Sequence, residues 1–205
     1  MQIRRLVLGD LETNCYVVSD AAGQTMIIDP ADDAEQLIAF LQQNHLCVVV
    51  VVLTHAHFDH MLAAHAVRDA YNVPLYIGQG DSDAMTNPIR NLSGLFSPDE
   101  AITIEDFTCV SDGDSIRVGE LSFEIMETPG HTPGCICLHC GGVLFSGDTL
   151  FADSIGRLDF PGGDPSAMQK SLLRLMQLPS ETEVFPGHGP ETTIGREVAH
   201  NPYLQ

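Results

Sequence analysis

The chain has 205 residues, with nine lysines and arginines against 28 aspartates and glutamates, so its formal net charge at pH 7 is −19. Apolar residues make up 44% of the sequence, a share that excludes an intrinsically disordered chain despite the charge. A strongly acidic surface repels phosphate groups, so we expect no nucleic-acid partner and no anionic membrane partner. The length predicts a single domain over residues 1–205 with a substantial buried core.

The six cysteines indicate the cell compartment, because disulfide bonds form mainly outside the cytoplasm. A chain of this length does not need disulfide bonds and its N-terminus shows no secretory signal, so we expect reduced thiols in a cytoplasmic protein. The longest apolar run, residues 46–53, has eight residues and is too short to cross a bilayer. The spacing of Cys135, Cys137 and Cys140 resembles a metal knuckle, but its alternation fits a strand, so we interpret these cysteines as small packing side chains.

The first half of the chain alternates strand patterns with helix patterns. Leu37, Ile38 and Leu41 lie on one helical face after two aspartates, which predicts an amphipathic helix. The unbroken apolar run Cys47–Leu53 is typical of a central strand buried on both faces. The polar stretch 78–99 is expected to be irregular. Further predicted elements are strands over Asn14–Val18, Thr25–Ile28 and Leu75–Ile77, and a helix over His60–Tyr71.

The second half repeats this order of strands followed by helices. Asp164 and Pro165 are an N-cap and a first-turn proline, so we predict a helix that starts there, and a final helix near Thr193. Two such halves predict two packed β-sheets with helices outside, an α/β fold. The apolar stripe of the first of these helices is predicted to consist of Leu172, Leu173, Leu175 and Met176. The predicted strands are Ser115–Val118, Leu121–Glu127, Cys135–His139, Val143–Phe145 and Glu183–Phe185.

Four side chains of metal-ligand type lie within six residues directly after the predicted central strand: His55, His57, Asp59 and His60. His55 and His57 are two residues apart, so in an extended segment they point the same way and can bind one ion. Asp59 and His60 lie where the chain turns into a helix, so their side chains can diverge toward a second ion. A single histidine here would more often be a satisfied polar residue, but the cluster favours a metal site.

Three further segments each place a ligand-type residue just past a predicted strand. His131 follows the strand that ends at Glu127, Asp148 follows the strand that ends at Phe145, and His188 lies between two glycines. Asp148 is a carboxylate suited to bridge two cations. Each segment alone is a weak signal, because histidines beside glycine are common in turns. Together with the first cluster they make seven candidate metal ligands, all just past the carboxyl ends of strands.

The segment Thr54–His60 resembles the Thr-His-x-His-x-Asp-His motif of the metallo-β-lactamase superfamily. The downstream pairs 130–131, 147–148 and 187–188 resemble the remaining metal motifs of that family, in the same order, and the resemblance spans residues 13–204. It implies a four-layer αβ/βα sandwich, two mixed β-sheets flanked by helices, with a dinuclear site at one edge of the sheets. It also implies a first metal bound by His55, His57 and His131, a second bound by Asp59, His60 and His188, and Asp148 as the bridge.

Within that superfamily the chain is similar to the glyoxalase II-like branch, in particular its compact single-domain bacterial hydrolases. This similarity is carried by residues 13–16, 156–164, 186–197 and 201–204. Histidines stand at the metal positions, unlike the antibiotic-degrading members that use a cysteine ligand. One departure concerns glutathione: full-length glyoxalase II enzymes have a C-terminal extension with basic residues for its carboxylates. Here Val198 and Ala199 stand where such relatives often have Lys-Arg, which leaves the mode of glutathione recognition open.

The resemblance implies a metal-dependent thioester hydrolase of the hydroxyacylglutathione type. In such a reaction a metal-bound hydroxide attacks the thioester carbonyl, and Asp59 both binds the second metal and orients the hydroxide. We expect two divalent metal ions, with zinc as the first choice. Iron and manganese are alternatives, because this mixture of ligands accepts all three metals. The positive charge of the ions at the mouth of the site admits a small-molecule anionic thioester as substrate despite the acidic chain. The oligomeric state is not determined by the sequence.

Two alternative functions remain open at this point. A related branch, the persulfide dioxygenases, keeps much of the same motif set and needs one Fe(II) on two histidines and one carboxylate. Either His57 or His55, with His131 and Asp148, can supply that face, whereas residues 160–164 are similar to the hydrolase branch. The other alternative is a non-catalytic, metal-stapled binding module. Structural zinc sites are usually closed and rich in cysteine, whereas this ligand set is rich in histidine and aspartate.

Overall fold

Two six-stranded β-sheets form the centre of the computed structural model, which describes residues 1–96 and 98–204. In chain order the strands are β1 Gln2–Leu8, β2 Thr13–Ser19, β3 Gln24–Ile28, β4 Cys47–Val52, β5 Leu75–Gly78, β6 Thr108–Val110, β7 Ser115–Val118, β8 Leu121–Glu127, β9 Ile136–Cys140, β10 Val143–Gly147, β11 Leu150–Phe151, β12 Ser154–Ile155, β13 Glu183–Pro186 and β14 Thr192–Thr193. The helices are α1 Ala34–Gln43, α2 Phe58–Met61, α3 Ala64–Tyr71, α4 Ser82–Met85, α5 Ser93–Phe96, α6 Pro165–Leu175 and α7 Ile194–His200, with 3₁₀ turns at Gln79–Asp81 and Pro98–Glu100.

Both large sheets are mixed, as predicted. The first has the order β1-β2-β3-β4-β5-β6, antiparallel from β1 to β3 and parallel from β3 to β6. The second has the order β14-β13-β10-β9-β8-β7, in which the β10–β13 pair is parallel and the other pairs are antiparallel. Parallel neighbours need a crossover connection. Helix α1 therefore connects β3 to β4, α3 lies between β4 and β5, and α6 lies between β10 and β13.

Three buried apolar clusters separate the four layers. Successive side chains of a strand point to opposite faces, so Tyr16 and Val18 of β2 pack between the two sheets, whereas Cys15 and Val17 pack on the outer face of the first sheet. The cluster on that outer face includes buried residues of α1 and α3. A third cluster joins the outer face of the second sheet to the helix α6. The predicted αβ/βα sandwich is therefore confirmed.

The predicted helix over His60–Tyr71 is interrupted, and it forms the two helices α2 and α3. The amide of Ala63 donates to the carbonyl of Pro30, 3.0 Å away, instead of continuing the helical hydrogen bonds of α2. The break leaves Asp59 and His60 on a single helical turn, Phe58–Met61, so the prediction of one continuous helix was wrong.

The apolar face of α6 also differs from the prediction. The buried apolar residues are Met168, Leu172 and Leu175, which are four and three positions apart and therefore share one face. Leu173 is 54% exposed, because one residue along a helix is a rotation of about 100°. The predicted N-cap is confirmed, since the Asp164 side chain accepts hydrogen bonds from two backbone amides of the first turn.

Several short elements have no prediction above. β1 and β6 are edge strands of the first sheet, and β14 is an edge strand of the second. Most of β1 is exposed or half-buried, so it lacks a continuous apolar run. The stretch 78–99, expected to be irregular, contains two short α-helices and the 3₁₀ turns at its two ends. No helix within residues 1–96 and 98–204 is both long enough and apolar enough to cross a membrane.

Candidate metal centre

The seven sequence-predicted ligands lie at one edge of the sandwich, beyond the carboxyl ends of β4, β8, β10 and β13. Three groups of their ligand atoms each lie within 4.8 Å of one another. One group is formed by the three histidines predicted for the first metal and one by the triad predicted for the second. The third group joins the two. In order, the groups are His55, His57 and His131; Asp59, His60 and His188; and His55, His60 and Asp148.

Asp148 lies between the two triads. Its Oδ1 atom is 3.4 Å from the Nε2 atom of His60, and its Oδ2 atom is 3.5 Å from the Nε2 atom of His131. The Oδ2 atom is also 3.7 Å from the Nε2 atom of His188. One carboxylate therefore faces both groups, with Oδ1 toward the second triad and Oδ2 between the two triads, which is the position that a bridging ligand needs.

The polar atoms at the centre fit a pair of cations. His60 Nε2, His131 Nε2 and Asp148 Oδ1 are buried and have no hydrogen-bond partner within the described part of the chain. Buried polar atoms nearly always have partners, so three such atoms in one place need an explanation. The Nε2 atom of His55 and the Nδ1 atom of His57 also lie only 3.1 Å apart. Imidazole nitrogens and carboxylate oxygens are the ligands that zinc and related divalent metals bind.

Hydrogen bonds on the far side of the rings orient two of these histidines. The Nδ1 atom of His60 lies 2.9 Å from a carboxylate oxygen of Asp29, and the Nδ1 atom of His131 lies 2.7 Å from the carbonyl oxygen of Arg157. Each of these acceptors engages Nδ1, so Nε2 is the ring nitrogen directed into the site. The rings are thus held in the orientation that a metal ligand through Nε2 needs.

Asp29 has a supporting role that the sequence analysis did not predict. It follows β3, is buried, and accepts hydrogen bonds from the amide and the hydroxyl of Thr54, both at 2.7 Å, as well as from His60. It thereby joins the end of β3 to the first residues of the histidine cluster. The signal that could have identified it is the one used for Asp148, a carboxylate directly after an apolar strand.

We expect the substitution Asp29→Asn to weaken metal binding by about 10- to 100-fold while the chain stays folded. Asparagine keeps the size of the side chain, but its neutral amide is a weaker acceptor for the Nδ1 proton of His60. A competition titration of zinc against a chelating dye measures the change. Asp33→Asn, an exposed substitution with the same change in charge, is the control. Equal zinc affinities of Asp29→Asn and the unmodified protein would contradict this role.

Asp81, also not predicted, connects the two loops that carry the first triad. Its buried carboxylate accepts hydrogen bonds from the amide of Ala56 at 3.0 Å, the amide of Gly134 at 2.7 Å and the hydroxyl of Thr132 at 2.7 Å. Ala56 lies between two of the histidines, and Thr132 directly follows the third. The separation of these histidines therefore depends on one buried aspartate.

The loop that carries His188 is fixed from the first sheet. The hydroxyl of Tyr16 donates to the carbonyl of Pro186 at 2.7 Å, and the side-chain amide of Asn14 donates to the same carbonyl at 2.9 Å. Gly187 packs so closely that a Cβ atom there would lie 2.3 Å from the Oδ1 atom of Asp148. A side chain at this position would therefore collide with the proposed bridge, which explains the glycine before His188.

In the metal-free chain, burial and neighbouring charges lower the pKa of two of these histidines and raise the pKa of a third. Burial and the neighbouring histidines hold the pKa of His55 well below its usual range, and burial together with His131 lowers the pKa of His57 to about 3. Burial also disfavours the charged form of His60, but three carboxylates outweigh it and raise its pKa to about 10. For Asp59, burial is outweighed by His60 and His188, so its pKa lies well below the usual value.

The metal-free protein should therefore be most stable near about pH 6.5, the usual histidine pKa. Above it, up to about pH 10, folded His60 keeps a proton that the unfolded chain releases, so the free energy of unfolding falls as the pH rises. Below it, down to about pH 3, the unfolded chain binds protons at His55 and His57 that the folded chain does not, so stability falls as the pH falls. Urea unfolding of chelator-treated protein across this range measures both effects.

His60→Gln provides the comparison for this pH profile. It should reduce the loss of stability above about pH 6.5 and retain the loss below it, because His55 and His57 still titrate only in the unfolded chain. A urea midpoint that does not change with pH in the chelator-treated protein would show that these histidines titrate alike in both states.

Comparison with known proteins agrees with this fold and geometry. A family model described as "Metallo-beta-lactamase superfamily" matches residues 8–188. An uncharacterized protein of Aquifex aeolicus is 39% identical over 99% of this chain and 97% of its own. The probable metallo-hydrolase YqgX of Bacillus subtilis is 33% identical, and the hydroxyacylglutathione hydrolase GloC of Haemophilus influenzae is 32% identical, each over 100% of this chain and 98% of its own length.

Solved structures are equally similar. The BLEG-1 B3 metallo-beta-lactamase superposes with a TM-score of 0.94 at 38% identity and covers 100% of both chains. TTHA1623 in a di-iron-bound form has a TM-score of 0.85 at 37% identity, over 98% of this chain and 100% of its own. ETHE1 from Myxococcus xanthus has a TM-score of 0.77 at 32% identity, over 98% and 84%. This chain therefore belongs to the metallo-β-lactamase superfamily, a superfamily of metallo-hydrolases that bind divalent metals.

Proposed function

We propose that this protein hydrolyses thioesters of the hydroxyacylglutathione type at a dinuclear metal site. The observation that carries the proposal is the shared carboxylate of Asp148, with one oxygen toward His60 and the other toward His131. The similarity to hydroxyacylglutathione hydrolase GloC along almost the whole length of both chains supports the choice of substrate class.

In this proposal the two triads hold one ion each. His55, His57 and His131 would bind the first, Asp59, His60 and His188 would bind the second, and Asp148 would contact both. Two bound divalent cations would supply Lewis acidity for the thioester carbonyl and lower the pKa of a water molecule toward about 7. We propose zinc, with iron or manganese as alternatives. The di-iron-bound form of TTHA1623 supports iron as one of these alternatives.

Asp59 is the residue that we assign to the nucleophilic water. Its Oδ2 atom accepts a hydrogen bond from the hydroxyl of Thr13 at 3.2 Å and lies 3.3 Å from the Nε2 atom of His188. Its pKa lies well below the usual value, because His60 and His188 outweigh the effect of burial, so it is ionised at neutral pH. An ionised carboxylate at this place can accept a hydrogen bond from the water and orient it toward the substrate.

The exposure of the side chains shows which side of the site is open to solvent. The side chains of His188 and Asp59 are 28% and 14% exposed, whereas the side chain of His60 is fully buried. The substrate should therefore approach next to His188. Two nearby cysteines are poor nucleophiles, because burial raises the pKa of Cys135 well above its usual range and that of Cys137 to about 11. Attack by water is thus favoured over a covalent thiol mechanism.

The test is elemental analysis of the purified protein followed by hydrolysis of S-lactoylglutathione on the same sample. We expect two divalent ions per chain, loss of hydrolysis after treatment with a chelator, and recovery when zinc is added back. Protein that holds two ions per chain and hydrolyses neither S-lactoylglutathione nor another acyl thioester would refute the proposal.

A single-iron persulfide dioxygenase is the second candidate. The observation in its favour is that His131 and Asp148 lie side by side, with either His57 or His55 able to complete the two-histidine, one-carboxylate face. The triad of Asp59, His60 and His188 is then unexplained, which is why we prefer hydrolysis. One iron per chain, together with oxygen consumption in the presence of glutathione persulfide, would favour the dioxygenase.

A further inference from the structure

A cleft of about 240 Å³ adjoins the metal centre and shares His57 with it. Much of its wall is apolar and formed by small or rigid residues, among them Ala84, Pro133 and Pro161. Arg90 also lines the cleft. The cleft is therefore a concave, largely apolar space with a cation in its lining, next to the proposed reaction centre.

We propose that this cleft binds a carboxylate-bearing arm of the substrate and that Arg90 is the residue that selects for it. The proposal rests on the proposed thioester hydrolysis. It assigns a way to recognise an anionic substrate in a chain whose formal charge is −19.

Arg90 is available to a ligand. Its side chain is 57% exposed, and the described structure pairs it with Asp83 at 3.4 Å, where Asp83 is itself 78% exposed. An exposed pair at this distance in water is weak and easily exchanged for a ligand carboxylate. Arg157, by contrast, is held by two hydrogen bonds of 2.8 and 2.7 Å to Asp159 and lies 4.0 Å from the centre of the Phe160 ring.

A second polar group in the lining, unlike Arg90, lacks a partner for one of its ring nitrogens. His57 is 3% exposed, and its Nε2 atom has no hydrogen-bond partner within residues 1–96 and 98–204. Its Nδ1 atom lies 3.1 Å from the Nε2 atom of His55 and is therefore the atom that would hold the proposed first metal. The Nε2 atom then carries the proton, and it is a buried donor on a residue that borders the cleft. Unsatisfied buried donors are rare, so a ligand atom is a fitting partner.

The lining also contains a carboxylate, which must be reconciled with an anionic ligand. Asp81 faces inward, and three donors from the loops of the first triad already bind its two oxygens. Both of its oxygens are thereby engaged within the protein, and burial raises its pKa, which disfavours the charged form. Arg90 therefore determines the sign of charge that the cleft accepts, and a carboxylate meets both the guanidinium and the apolar wall.

The test compares Arg90→Gln with the unmodified protein on three thioesters. One has a carboxylate on the thiol half and one has a carboxylate on the acyl half. The third is a neutral thioester in which each carboxylate is masked as a methyl ester. We expect Arg90→Gln to raise KM roughly tenfold or more for one of the two carboxylate substrates, and to leave kcat and the neutral substrate unchanged. The substrate that responds identifies which half occupies the cleft. Asp83→Asn should act in the opposite direction and lower the same KM, because it frees the guanidinium.

Arg117→Gln is the matched control, because Arg117 is exposed on β7 and its loss changes the net charge equally. The inference is overturned if Arg90→Gln leaves all three KM values unchanged, or if it raises them alike with the neutral substrate included. It is also overturned if Arg117→Gln has the same effect. If no thioester is hydrolysed at all, the proposed function fails instead. Calorimetric binding of a non-hydrolysable carboxylate-bearing thioether to the metal-loaded protein and to Arg90→Gln then tests the cleft separately.

Discussion

Replacing Asp148 by asparagine should lower the kcat/KM of thioester hydrolysis by roughly a hundred- to a thousandfold. One oxygen of Asp148 faces His60 of the second triad, and the other faces both His131 of the first triad and His188 of the second. Asparagine has nearly the same shape but only one oxygen and no charge, so it can serve one of the two groups at best. Both proposed ions should then bind more weakly.

Two measurements check this expectation: steady-state kinetics with S-lactoylglutathione, and metal content after dialysis against a weak chelator. Asp10→Asn, an exposed substitution with the same change in charge, controls for the net charge of the protein. Circular dichroism establishes whether the variant is folded. An Asp148→Asn protein that is folded, holds both ions and hydrolyses the thioester at the unmodified rate would show that no bridging carboxylate is needed.

Asp59→Asn should have a different effect, because Asp59 belongs to one triad only. We expect a folded protein that keeps about one ion per chain at the three histidines and loses the second, with a fall in hydrolysis of roughly a hundredfold or more. The Asp59 carboxylate lies 3.3 Å from His188 and 3.6 Å from His60, so its charge supports the second group directly.

Metal analysis and kinetics on the same preparation distinguish the two aspartates. Loss of about one ion in Asp59→Asn against weaker binding of both in Asp148→Asn would support the division into two triads with a shared bridge. Unchanged turnover in Asp59→Asn would rule out a two-metal mechanism that depends on this residue. If Asp59 also orients the water, excess zinc should not restore the rate, because the variant still lacks that carboxylate.

Much of the fold could be predicted because buried strands have a local signature. The run Cys47–Leu53 contains β4, which lies inside the first sheet between two parallel neighbours. Edge strands such as β1 lack this signature, because solvent covers one side and the apolar pattern is diluted. The exposed Leu173 and the interrupted helix after His60 show the same limit. Which of two adjacent leucines faces the sheet, and which carbonyl an amide selects, depend on partners distant in the sequence.

The residues of the candidate site also differ in how far the sequence alone could identify them. The ligand-type residues could be recognised from the sequence, because each directly follows a strand and carries a side chain of metal-binding chemistry. Asp29 follows an apolar strand as Asp148 does, but it stands alone there and its role was not predicted, whereas Asp81 has no such local pattern. Their roles depend on Thr54, His60, Thr132 and the amides of distant loops.

By itself, the sequence determined which side chains are available for metal chemistry and that they follow the ends of strands, because both properties are local. The tertiary structure decided how they combine, since the two sheets meet so that Asp148 lies between two triads drawn from three other loops. It also brought Arg90 and His57, 33 positions apart, to the lining of one cleft. No local pattern encodes that proximity, because it arises only when the loops after β4, β5 and β8 pack together.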